Sequence, residues 1–114
     1  MFQSSHHGLD ISNNPVLIKT LKPRVTVFNN GARKGGHPSI IALLRRLPDT
    51  QAIYQLHRNL TVGAQENTDP EFIANPDEKC QGEGIRLSVA PDAKSYTVTV
   101  GSKGKPKRYE TRTP

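Results

Sequence analysis

Four consecutive segments decide the fold. They are Arg24-Val25-Thr26-Val27-Phe28, the loop Asn29-Asn30-Gly31-Ala32-Arg33-Lys34-Gly35-Gly36, a run from His37-Pro38-Ser39 to about Arg46, and Ala52-Ile53-Tyr54-Gln55-Leu56. The first and last are β-branched and aromatic, which predicts strands. Between them Ile40, Ile41, Leu43, Leu44 and Leu47 recur as the apolar stripe of a helix. Upstream, Asn14-Pro15 opens a shorter helix, because Asn caps a helix start well and Pro is preorganised for its first position. Val16, Leu17 and Leu21 supply its apolar positions, and Lys22-Pro23 closes it, since a residue before proline is pushed out of the helical region. The order helix, strand, helix, strand predicts an α/β layer with helices on at least one face of a sheet.

Downstream the texture changes. Residues 58–84 are polar, with Phe72-Ile73-Ala74 as their one apolar anchor, and connections of that length are usually functional or disordered. Ile85-Arg86-Leu87-Ser88-Val89 and Tyr96-Thr97-Val98-Thr99-Val100 then alternate and are joined by Ala90 to Ser95, which predicts a β-hairpin. Arg108 to Thr111 is a candidate third, edge strand in a basic tail. The chain therefore divides into 1–57, 58–84 and 85–114.

The 114 residues are one domain's worth at most. The net charge of +6 is unevenly placed: up to Arg58 eight Lys and Arg face only Asp10 and Asp49, whereas residues 59–101 are net acidic. A basic first half steers phosphate-bearing ligands, or is simply a solvated face. A single cysteine, Cys80, excludes an internal disulfide framework and a cysteine-only zinc site; a half-buried structural thiol is expected. The longest apolar run, Ile40 to Leu44, is far below the about 18 residues that cross a membrane. No signal peptide is visible. The default expectation is cytoplasmic, although a longer parent protein could be exported. Asn59-Leu60-Thr61 matches the glycosylation sequon.

Chemistry concentrates at the histidines His6, His7, His37 and His57. In Ser5-His6-His7-Gly8 two imidazoles stand where a strand gives way to a loop, so one can face a metal while its neighbour faces a substrate oxygen or a supporting carboxylate. Gly8 permits the sharp turn. Histidines bonded to loop backbone are the competing reading.

Ser5-His6-His7-Gly8, Ser12-Asn13-Asn14-Pro15, a helix ending in Leu21-Lys22-Pro23, the strand Arg24–Phe28, Asn30-Gly31, Gly36-His37-Pro38 and a following helix occur in one order. Over residues 2 to about 57 that order resembles the C-terminal half of ComEC-like metallo-β-lactamase-fold hydrolases, the family that includes the hydrolase part of DNA-uptake competence proteins. The resemblance implies a partial αββα half-sandwich, a mixed sheet with two helices and a C-terminal β-hairpin. It implies zinc, held in the family as a two-metal site, and hydrolysis of a phosphodiester or other phosphate or ester. Carried over by position, His7 is the first choice of metal ligand and His6 the second. His6 and His37 are the catalytic candidates, and Asn30, Arg33, Lys34 and His37 the substrate-binding ones.

Two departures qualify this. Leu9 stands where the family has a small residue, and the upstream His-x-His-x-Asp-His motif, a third histidine and a bridging aspartate are not in the chain. A catalytic zinc needs three protein ligands and an open position. The expectation is thus a fragment that contributes one ligand, needs the missing N-terminal half as its partner, and is inactive alone. A small basic nucleic-acid-binding module using Arg24, Arg33, Lys34, Arg45 and Arg46 is one alternative. A non-catalytic interaction domain that pairs with another half-sandwich is the other.

Overall fold

A computed structural model describes residues 1–112; the last two residues of the 85–114 segment lie outside the described residues. The elements in order are β1 (Phe2–Gln3), α1 (Pro15–Leu21), β2 (Val25–Phe28), α2 (Pro38–Arg46), β3 (Ala52–His57), β4 (Ile73–Asn75), β5 (Ile85–Val89), β6 (Ser95–Val100) and β7 (Lys107–Glu110). Short 3-10 turns at Ser5–Gly8, Asp10–Ser12, Ala64–Glu66 and Pro70–Phe72 punctuate the connections. No helix among the described residues is long and apolar enough to cross a membrane.

The α/β expectation holds, but the single mixed sheet is instead two sheets. Strands β1-β2-β3-β4 pair in that order, all parallel, while β5-β6-β7 form a separate antiparallel meander. Each parallel crossover carries its chain over one face, and period-two alternation then divides the side chains. Phe28 and Ile53 face the helices and pack with Ile18, Ile40, Ile41, Leu43 and Leu44. Val25, Ala52 and Tyr54 face the other way and pack against Tyr96, Val98 and Tyr109 of the meander. Three layers result: helices, parallel sheet, antiparallel sheet.

Both helices start as their sequences dictate. The Asn14 side chain accepts the Val16 N–H at 2.8 Å, and Lys22 takes the left-handed conformation that stops α1 before Pro23. His37 caps α2 in the same way.

The polar segment 58–84 is built inward. Asn67 Oδ1 accepts from Gln55 Nε2 at 2.9 Å and from the Asn59 N–H at 2.7 Å, and its amide donates to the carbonyls of Asn59 and Gly63. Thr68 donates its N–H to Gln55 Oε1 and its hydroxyl to the Ile53 carbonyl. Asn75, in β4, donates to the carbonyls of Leu56 and Glu83. These side chains are buried. Buried backbone groups need partners, and here amide side chains supply them where no regular ladder runs. The sequon residue Asn59 is accordingly 4% exposed, with its amide turned to the Gly35 and Gly36 carbonyls. Cys80, expected half-buried, is exposed.

Candidate functional site

The C-terminal ends of the parallel strands gather the residues singled out above. In open α/β sheets ligands bind outside that edge, because there the chain leaves each strand in a loop free to vary. From β1 the chain enters the Ser5–Gly8 turn, from β2 the loop 29–36, and from β3 His57 and Arg58.

The histidine turn has unusual backbone. His6 and His7 are both left-handed, with φ of 48° and 58°, followed by Gly8 at 82°. Consecutive left-handed residues with side chains are costly, by about 1–2 kcal/mol each, and persist only when surroundings fix them. Three sets of contacts do so. The wholly buried Asn13 accepts the Ser5 N–H at 3.1 Å and donates to the carbonyls of Ser5 at 2.9 Å and Leu9 at 2.6 Å. On the far side, the Gly36 N–H donates to the His7 carbonyl at 2.8 Å and the His37 N–H to that of Gly8 at 3.0 Å. Beneath, a Cβ on Gly8 would lie 2.2 Å from Phe28 Cδ1, so the turn sits directly on the core.

Both imidazoles are exposed. His7 Nδ1 lies 2.8 Å from the Asn29 carbonyl oxygen, which can only accept, so Nδ1 carries the proton and the lone pair of the neutral ring is at Nε2. That is the arrangement of a metal-ligating histidine oriented by a backbone carbonyl. His6 Nδ1 meets the Ser12 hydroxyl at 3.0 Å, and the two ring centroids are 5.9 Å apart.

His37 is committed differently. Its Nδ1 accepts the Ser39 N–H at 3.2 Å as the α2 cap and lies 2.7 Å from the Ser39 hydroxyl. Its Nε2 is then the protonated nitrogen, and it faces Asp10 Oδ2 at 4.0 Å. Asn30 turns inward: its amide donates to the carbonyls of His57 at 2.8 Å and Gly31 at 3.2 Å, and its Oδ1 accepts the His57 N–H. Its contacts therefore tie the β2 loop to β3. Arg33 lies 3.2 Å from Glu78, both exposed, and Lys34 is exposed in the same loop.

The structure thus brings His6, His7, Asp10, His37, Arg33 and Lys34 to one edge. Among the described residues, no group of three or more His, Cys, Asp or Glu side chains is placed to hold a metal ion. Among the described residues, His7 with its outward Nε2 is a single donor so oriented, fewer than the three protein ligands a catalytic zinc needs. The basic residues proposed as a nucleic-acid surface are dispersed. Arg24 precedes β2 and donates to the Glu110 carbonyl, while Arg33 and Lys34 follow the same strand at its other end. Arg45 is tied to the carbonyls of Gln65 and Asn67.

Asn13 and the Asn29 carbonyl were not singled out as site features from sequence. Asn13 has a weak sequence signal, a turn former shortly after a double histidine. A backbone acceptor 22 residues from its histidine has none. No family model, curated protein or solved structure matches this chain.

Proposed function

We propose that the chain is the C-terminal half of a metal-dependent hydrolase of the ComEC-like metallo-β-lactamase type, acting on a phosphodiester or other phosphate or ester. It contributes one zinc ligand, His7, and is inactive alone. The observation that carries this reading is the His7 ring at the sheet's C-terminal edge, with Nδ1 tied to the Asn29 carbonyl and Nε2 left as the lone pair. His6 beside it is the candidate for contact with a substrate oxygen, and Arg33 and Lys34 supply positive charge at the same edge.

The shape of the apolar surface supports a missing partner half. β1 has one neighbour in its sheet, β2. Leu17 and Leu21 lie together on one side of the inward Ile18 on the helical wheel and are 46% and 44% exposed; on the opposite layer Leu87 and Val89 of β5 are 38% and 59% exposed. Between the sheets an open cleft of about 380 Å³, lined by Gln3, Val27, Asn29, Leu56, Ile85 and Leu87, leaves part of the parallel sheet's face uncovered. That uncovered part of the sheet's face is where this reading seats the half that carries the remaining metal ligands.

The reading frame upstream of the Met1 codon decides it. The expected result is an in-frame His-x-His-x-Asp-His and a longer product that takes up zinc and hydrolyses bis(p-nitrophenyl) phosphate. His7→Ala should lower both by at least about tenfold, while the present chain alone shows no tight, His7-dependent zinc uptake. Absence of that motif upstream, or a longer product indifferent to His7→Ala, sinks the proposal.

A further inference from the structure

We infer that Asn13 is a positioning residue for the double-histidine turn: its side-chain amide locks the turn in the one form that presents His7 Nε2. The inference rests on His7 being the histidine that acts, as proposed above.

Asn13 is wholly buried, and every hydrogen bond of its side chain goes to the turn: Oδ1 to the N–H of Ser5, Nδ2 to the carbonyls of Ser5 and Leu9. One amide therefore brackets His6, His7 and Gly8 from both ends. Without it, the cost of two left-handed histidines at φ of 48° and 58° is opposed only by the Gly36 and His37 contacts on the far side and by the seat of Gly8 on Phe28. The Asn29 carbonyl is within 2.8 Å of Nδ1 only while His7 holds that backbone. An imidazole free in water prefers the opposite tautomer, with the proton on Nε2, which would hide the lone pair a metal needs. The chain of cause runs from the Asn13 amide to the turn, to the Asn29 contact, and to the tautomer. Asn13 itself is buried, and its side chain hydrogen-bonds only to the backbone of the turn.

Long-range proton–nitrogen correlation spectra of the histidine side chains read the tautomer directly. At about pH 8, above the ordinary imidazole range, wild-type His7 should show its proton on Nδ1. In Asn13→Asp, which keeps an acceptor for the Ser5 N–H but loses both donors, and in Asn13→Ser, His7 should pass mainly to the Nε2–H form while His57 is unchanged. A role confined to folding would lower thermal stability and leave the His7 tautomer in the folded variants as in wild type; that result overturns the inference.

Should neither variant fold, the wild type still tests it. The Asn13 side-chain amide protons should exchange at least roughly tenfold more slowly than those of exposed Asn14, the factor that about one net hydrogen bond supplies, and equal rates overturn the inference. Wild-type His7 in the Nε2–H form removes both this inference and the assignment of His7. An unchanged tautomer in the variants removes Asn13 alone. A tautomer that switches as expected, with a longer product that neither binds zinc nor hydrolyses phosphodiesters, removes the hydrolase reading alone.

Discussion

A single absent atom at residue 35 does as much for the site as any side chain present. Gly35 has φ of 82°, and a Cβ there would lie 1.9 Å from the His7 carbonyl oxygen. The loop after β2 can press against the histidine turn only because that position is bare. Gly82 offers an internal comparison: its φ is 68°, but a Cβ there would meet nothing within 4 Å. Gly82→Ala should therefore lose only the left-handed penalty, about 1–2 kcal/mol. Gly35→Ala adds a backbone collision and should lose about 2–4 kcal/mol. Urea midpoints of the two variants measure the difference, and equal midpoints would mean that the turn yields without cost. Little of this is legible in sequence: a glycine announces positive φ, whereas His6 and His7 adopt it without any such sign.

Among elements, the least regular stretch is the one most dependent on single side chains. Between β3 and β4 the chain has no ladder of its own, and Asn67 replaces one, joining Gln55, Asn59 and Gly63. Asn67→Ala leaves the buried Asn59 N–H without an acceptor and takes from the Gln55 amide one of its two, the His57 carbonyl remaining, a loss of about 2–4 kcal/mol. Hydrogen exchange should locate it: protection should fall across residues 59–75 before it falls in α2, and uniform loss would contradict a local network. The elements from Pro15 to His57 were readable because their apolar periodicity is continuous and their ends carry cap residues. β4 was not, because three residues, Ile73 to Asn75, hold no period, and their strand character comes from pairing with β3. Parallel pairing in a separate sheet was equally hidden, since alternation alone does not say which strands become neighbours.

For the molecule as a whole, the junction of its two sheets holds a small aromatic cluster joined by a pair of hydroxyls. Tyr54 and Tyr109 meet hydroxyl to hydroxyl at 2.5 Å, Tyr96 stacks on Tyr109 with centroids 5.6 Å apart, and Phe72 meets Tyr54 edge-on at 5.1 Å. Tyr54 and Tyr96 are 1% and 5% exposed. Burial is the first cause that raises the Tyr54 phenol above its ordinary range, and the Tyr109 hydroxyl bond adds to it; burial likewise raises Tyr96. Their protons are thus held more tightly in the folded chain than in the unfolded one. Below about pH 10 both states keep them and the contribution is fully present. As pH rises beyond the unfolded phenol's range, the unfolded chain releases protons that the folded chain retains, so stability falls with pH, by about 1.4 kcal/mol per unit for each such tyrosine. Tyr54→Phe removes one of the two titrations but leaves the Tyr109 hydroxyl without its partner. The variant should lose about 1–3 kcal/mol near neutral pH and show roughly half the wild-type decline above pH 10. Urea midpoints followed from about pH 8 to 11 separate the two effects. A parallel decline in variant and wild type would show that the tyrosines ionise in place, and that the two sheets do not depend on neutral phenols to stay together.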